Sequence, residues 1–190
     1  MTAMTTSSTI LYFSDPSYLS KGNALQRSAY ETLVTRNNLF VKLRSYHPVL
    51  VGTVPIDVAT ESSDLDIICQ VEDYEDFADI LHHLFGKENG FCLSSHTTRN
   101  QPCVVANFKL DEWPVEIFGQ NRPVLEQNGF RHMVIEHLIL EELGEDFRRQ
   151  VVELKRSGIK TEPTFCRLLQ LPGDDPYEAL LKHGKSMFSV

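Results

Sequence analysis

The hydrophobic and polar positions of this chain fall into three stretches of different period. In the first, Leu25, Ala29, Leu33 and Val34 recur at helical spacing, with Tyr30 and Leu39 close by. This predicts one helix over residues 16–37 and a short one over 39–46, stopped by Pro48. The middle stretch shifts to short apolar runs, and 49–51, 65–71, 91–97, 104–110 and 113–118 each read as a strand. An amphipathic helix over 73–85 interrupts them, with Phe77, Ile80, Leu81 and Leu84 on one side. Asp111-Glu112 reads as a tight hairpin connection and 119–122 as a loop. The period then returns to helical, giving four helices over 123–143, 145–157, 161–171 and 176–183, punctuated by Gly144, Gly158 and Pro172-Gly173. Strands in the middle with helices at both ends predict an α+β fold with a helical C-terminal part. The expected organisation is a flexible tail over 1–14, an α/β core over 15–120 and a helical region over 121–190, without internal repeats.

Composition narrows the function classes. The 190 residues, 42% hydrophobic and 23% charged, are those of a globular protein. A net charge of −8 argues against non-specific binding of long nucleic acid, which needs a basic face. It leaves room for a nucleotide, whose phosphates metal ions can carry. The cysteines at 69, 92, 103 and 166 lack zinc-knuckle spacing. Cys69 and Cys103 sit in apolar runs and read as buried thiols, so a reducing, cytoplasmic setting is expected. No stretch approaches a transmembrane span, and the polar residues 1–9 do not have the pattern of a signal peptide.

The chemistry concentrates between residues 51 and 68. Val51-Gly52-Thr53-Val54-Pro55 is a strand end running into a small-residue turn, and Ser62-Ser63-Asp64-Leu65-Asp66-Ile67-Ile68 follows after a polar gap. On a strand, Asp64 and Asp66 share one face while Leu65 and Ile67 share the other. Two such carboxylates repel by about 4 kcal/mol at 4 Å in a medium of intermediate dielectric, and a divalent cation is the common reason for tolerating this. On the strand 113–118, Trp113, Val115 and Ile117 take one face and Glu116 the other, where it meets either a cleft or a water-facing sheet edge. Asp111 and Glu112 are rival carboxylates at the hairpin tip. Asp57 and Glu61 read as solvated loop residues.

The Gly-Thr turn followed by Asp-x-Asp on the next strand resembles the nucleotidyltransferase superfamily of the DNA polymerase beta type. The segments Ser63-Asp64-Leu65-Asp66-Ile67, Glu116-Ile117-Phe118-Gly119-Gln120 and Lys160-Thr161-Glu162-Pro163 resemble a little-characterised bacterial branch of it. The resemblance covers about residues 48–118. It implies that Asp64, Asp66 and Glu116 bind Mg²⁺ (or Mn²⁺) as the catalytic carboxylates, and that Gly52, Thr53 and Ser63 hold a nucleoside triphosphate. Thr53 stands where Ser is usual and Glu116 where Asp is more frequent, and Pro55 removes a backbone donor near the turn.

Outside that motif, Lys155 and Lys160 are candidate phosphate contacts, though helix capping explains much of 155–163: Gly158 as a stop, Thr161 as an N-cap. His132 and Glu136, four apart, share a helix face that either closes over the site or pairs locally. Gln120 and Gln127 are candidates for base contacts or loop packing. The function expected is metal-dependent transfer of a nucleoside monophosphate to an acceptor hydroxyl, with a small molecule or a protein favoured as acceptor over long nucleic acid. The alternative is an inactive nucleotide-binding or protein-interaction module on the same fold.

Overall fold

In the computed structural model, which describes residues 6–98 and 101–188, five strands form one mixed sheet. They are β1 (Val49–Val51), β2 (Leu65–Gln70), β3 (Asn89–Thr98), β4 (Gln101–Leu110) and β5 (Trp113–Gln120), in the order β1-β2-β5-β4-β3. The β2–β5 pair is parallel and the other three pairs are antiparallel. A parallel pair needs a long crossover, and residues 71–112 supply it: α4 (Tyr74–Phe85), then the β3–β4 hairpin. The sheet is the expected α+β core, and β5 lies in its interior rather than at an edge.

Strand alternation divides the core in two. Leu65, Ile67, Cys69, Val115 and Ile117 pack on one face with Phe77, Leu81 and Phe85 of α4 and with the N-terminal helical segments. Val49, Val51, Ile68 and Phe118 pack on the other face with the C-terminal helices α5 (Asn128–Arg156), α6 (Thr161–Leu169) and α7 (Pro176–Phe188). Trp113 anchors the first face through Nε1, which donates to Ser28 Oγ at 3.1 Å.

Three expectations are corrected at the N-terminal end and in α6. Residues 1–5 of the expected tail lie outside the described residues, but Thr6–Phe13 forms a helix, α1. Its polar, threonine-rich sequence is a poor helix former, and packing overrides that: Phe13 is 2% exposed and meets the His137 ring edge-on at 5.0 Å. The single helix expected over 16–37 is broken. A 3₁₀ segment, Pro16–Lys21, ends at Gly22, and α2 (Ala24–Tyr30) restarts with a capping box. In it Asn23 Oδ1 accepts from the Gln26 amide at 2.9 Å and Gln26 Oε1 accepts from the Asn23 amide at 3.0 Å. A π-helical segment, Glu31–Arg36, follows, then α3 (Leu39–Lys42) and a 3₁₀ turn. At α6 the N-cap is Lys160, so Thr161 is the first helical residue.

Gly144 does interrupt the C-terminal helices as its sequence position predicts, with φ 76° and ψ −166° inside α5. In a straight helix, Glu136 and Lys155 would stand about 28 Å apart. Here both line one cavity, and Phe147 and Val151 join the same core as Met133 and Ile139. The chain therefore folds back at Gly144. A Cβ there would meet no atom within 4 Å, so Gly144→Ala tests the backbone conformation alone. It is expected to lower unfolding stability by about 1–3 kcal/mol, read as an earlier urea midpoint at unchanged slope. An unchanged midpoint would show that the fold-back does not depend on glycine.

Candidate active site

The site starts where β1 ends. Val51 pairs with Asp66 across β1–β2, and Asp66 pairs with Glu116 across β2–β5, so register alone brings the two carboxylates side by side on one face. After Val51 the backbone turns at Gly52 with φ +81°, and a Cβ there would lie 2.6 Å from Asp66 Oδ2. Glycine is needed both for the turn and for the room it leaves the carboxylate. Buried Gln26 on α2 pins the following loop, its Nε2 donating to Val54 O at 3.0 Å and Pro55 O at 3.3 Å. Arg148 of α5 donates to Ile56 O and to Asp57 O.

The hydroxyls are ordered by the same loop. Thr53 Oγ1 donates to Ser63 Oγ at 3.2 Å, and the Thr60 amide donates to the same oxygen at 2.9 Å. Ser63 Oγ thus accepts twice and keeps its own proton for a ligand, while the Thr53 proton is spent on Ser63.

A cavity of about 820 Å³ lies between the site face of the sheet and helices α5–α7. All eight residues singled out in the sequence line it: Gly52, Thr53, Ser63, Asp64, Asp66, Glu116, Lys155 and Lys160. The rivals do not join them. Asp111 turns to Thr32 Oγ1 at 3.0 Å and Arg36 Nη1 at 3.1 Å, Glu61 pairs with Arg156 at 3.0 Å, and Asp57 accepts from Asn23.

The charges are unbalanced. Burial first, then Asp64, Glu116 and Glu162, push the Asp66 pKa up to about 8 against the opposing pull of Lys155. Glu116 is also raised, by burial and by Asp64, with His96 opposing. Lys155 is lowered to about 8 by burial, against the attraction of Glu136, Asp64, Glu162 and Asp66. Among the described residues no hydrogen bond or ion pair ends on the Asp66 carboxylate. Clustered carboxyl oxygens that burial keeps from ionising, one held bare against Gly52, fit a hard divalent cation such as Mg²⁺ or Mn²⁺, which would favour their ionised form. Among the described residues, no three His, Cys, Asp or Glu side chains are already gathered at ligating distance around one point.

Two residues of the cavity wall were not assigned to it from sequence. Glu162, read as part of a helix cap, faces His132 Nδ1 at 3.8 Å. Glu136 does not pair with His132, whose Nε2 meets Tyr177 O at 3.0 Å instead. Glu136 carried a signal all the same: it is a lone carboxylate in an apolar run with Met133, Val134, Ile135, Ile139 and Leu140, and it is buried.

Asp66 holds its proton in the folded chain up to about pH 8, whereas an unfolded chain releases it near 3.8. Between those values the folded state binds the extra proton, so this group's contribution to stability is complete below pH 3.8 and is lost as pH rises through 8. In chelator-treated protein, Asp66→Asn should therefore stabilise at pH 8 and have little effect at pH 4, read as melting temperature against pH. Parallel wild-type and variant profiles would contradict this.

A model of the DUF4269 family, a domain of unknown function, matches residues 32–183. No curated protein matches the chain. Among solved structures, the polymerase core of TRAMP, an RNA surveillance complex, aligns with a TM-score of 0.50 at 14% identity, over 86% of this chain and 50% of that one. A mutant of the Cid1 poly(U) polymerase bound to MgATP aligns with a TM-score of 0.50 at 14% identity, over 90% of this chain and 53% of that one. The chain spans about half the length of these structures, and at this identity the likeness is one of fold, that of the polymerase-beta-type nucleotidyltransferases. By the match that runs through most of its length, the chain belongs to the DUF4269 family.

Proposed function

We propose that this protein is a divalent-metal-dependent nucleotidyltransferase, moving a nucleoside monophosphate from a nucleoside triphosphate to an acceptor hydroxyl. It would stand in the bacterial branch that its Ser-Asp-Leu-Asp-Ile and Glu-Ile-Phe-Gly-Gln segments resemble. One observation carries the reading: Asp66, paired with Val51 and Glu116, lies bare against Gly52 in a cavity of a size that takes a small ligand.

Each wall has a task. Gly52 lets the backbone approach the phosphates, Ser63 offers them its free proton, Thr53 orients Ser63, and Lys155 and Lys160 supply positive charge. Asp64, Asp66 and Glu116 would hold Mg²⁺ or Mn²⁺, which neutralises the triphosphate and acidifies the acceptor hydroxyl. In the transfer, the acceptor oxygen bonds to the α-phosphorus as the bond to the α–β bridging oxygen breaks. Pyrophosphate leaves and the hydroxyl proton passes to Glu116, whose raised pKa suits a base. The acidic net charge favours a small molecule or a protein as acceptor. Among the fold neighbours, one is the core of an RNA surveillance complex and another was solved with MgATP, so an RNA end belongs among the acceptors tried. The four free cysteines suit a reducing compartment such as the cytoplasm. A nucleotide-binding module without turnover is the second reading, favoured by carboxylates that are not yet gathered at ligating distance.

The test is incubation with each α-labelled nucleoside triphosphate, Mg²⁺ or Mn²⁺ and cell extract, measuring label transferred and pyrophosphate released. Both are expected, and Asp64→Ala or Asp66→Ala should lower the rate more than about 100-fold, beyond the loss of an outer-sphere partner. Metal-dependent triphosphate binding with neither product would leave the binding module. Binding that ignores both the metal and Asp64→Ala would sink the carboxylate site itself.

A further inference from the structure

Between β1 and β2 the chain, residues 52–64, forms no helix or strand, so its backbone groups have to be met from outside. Four consecutive carbonyl oxygens of this loop accept from only two side chains: Gln26 Nε2 donates to Val54 O and Pro55 O, and Arg148 Nη1 donates to Ile56 O and, at 3.3 Å, to Asp57 O. Asn23 Nδ2 donates to the Asp57 carboxylate, at a residue whose φ is +60°. A left-handed backbone costs an aspartate energy, so contacts have to hold it there. The loop therefore takes its shape from residues far away in the chain.

Arg148 joins more than the loop. Its side chain is 15% exposed, and its guanidinium also faces Glu141 Oε1 at 3.9 Å and Glu145 Oε2 at 3.4 Å. Glu141 precedes Gly144 and Glu145 follows it, so one guanidinium spans the fold-back of α5 and reaches the loop as well. Further along α5, Arg156 pairs with Glu61 at 3.0 Å, nearer the loop's other end. Between these two grips and the strands lie the Gly52 turn and the hydrogen bonds that join Thr53, Thr60 and Ser63. A planar guanidinium can serve carbonyls and carboxylates in several directions at once, and an ammonium on a flexible stem cannot keep that geometry.

We infer that Arg148 is a positioning residue for the triphosphate: it holds the loop that presents Gly52 and Ser63, and it ties that loop to the bend at Gly144. The role toward a triphosphate rests on the nucleotidyltransferase reading above; the clamp rests on the hydrogen bonds just described. Such a tie acts in both directions. A ligand that orders the loop steadies the bend, and a loosened bend weakens the ligand.

The experiment compares the parent with Arg148→Lys, which keeps the charge and loses the fork, and with Arg149→Lys, a change at an exposed residue that pairs with Asp146. Hydrogen exchange is read by mass spectrometry, and binding of ATP, GTP, CTP and UTP with Mg²⁺ by calorimetry. Arg148→Lys should speed exchange over residues 53–58 and weaken the best-bound triphosphate, each by about tenfold or more, as expected for lost hydrogen bonds from a charged donor. In turnover, KM for the triphosphate should rise by a similar factor with kcat within about twofold. Arg149→Lys should match the parent throughout. In the parent, bound triphosphate should also slow exchange over residues 141–148, a stretch that does not line the cavity, and in Arg148→Lys it should not. The parent's half of that comparison needs no variant, so it stands if Arg148→Lys fails to fold: bound triphosphate that leaves 141–148 untouched overturns the inference. So does unchanged exchange at 53–58 in Arg148→Lys, exchange raised evenly over the whole chain, or a faster loop with unaltered triphosphate affinity. A parent that binds none of the four triphosphates removes the transferase reading and the positioning role together, whereas a binding parent indifferent to Arg148→Lys removes the positioning role alone.

Discussion

The parallel pairing of β2 with β5 is the contact on which the rest of the molecule depends. It sets Asp66 beside Glu116, an arrangement whose electrostatics oppose folding. What opposes the repulsion lies on the reverse of the same two strands, where Leu65, Ile67, Cys69, Val115 and Ile117 are buried. Each such side chain contributes about 1.5–3 kcal/mol when removed from water, so the strand pair can carry the uncompensated carboxylates. Because the pair is parallel, α4 and the β3–β4 hairpin must cross between its strands, and α4 lands on that reverse face. The site face is left for the C-terminal helices. A one-residue slip of β5 would move Glu116 into the apolar core and Ile117 into the cavity, a loss on both faces.

The helical part completes the site. Without α5–α7 the carboxylate face would be an open sheet surface in water, where like charges are screened and carboxyl pKa values change little. The fold-back at Gly144 brings Lys155 to the cavity that also holds Glu136, and Arg156 and Arg148 tie the returning half to the loop after Gly52. The raised carboxyls and the lowered Lys155 result from that enclosure, since burial is the largest cause in each. The same residues that hold the Gly52 loop in place therefore make its charge chemistry unusual.

Period and punctuation made most of this legible in the sequence. The five strands, the faces of β2 and β5 and the break at Gly144 follow from alternation and from glycine placement, which are local properties. The Gly52–Asp66 approach was legible only as spacing, because the strand register that creates it is a tertiary fact. Two things were hidden for a physical reason. The helix at Thr6–Phe13 exists through Phe13 packing on His137, against the propensity of its own residues. Glu162 read as a capping residue, and Glu136 as sharing with His132 a face that either pairs locally or closes over the site, because local period places a side chain on a face without saying what covers that face. Sequence favoured Glu116 over Asp111 on turn chemistry, and Asp111 has its own reason to be elsewhere: it joins the hairpin tip to Thr32 and Arg36.

The balance of charge also orders events at the site. A bare triphosphate is strongly anionic, and the cavity that would receive it already holds Asp64, Asp66, Glu116, Glu136 and Glu162, with Lys155 shared among several of them. At low effective dielectric, adding that charge without a counter-ion is far more costly than the contacts of Ser63 and the Gly52 turn can offset. In the proposed reaction a divalent cation travelling with the triphosphate would halve its charge and give Asp66 the partner it lacks. Metal and nucleotide would then be thermodynamically linked, each raising the affinity of the other by the same factor.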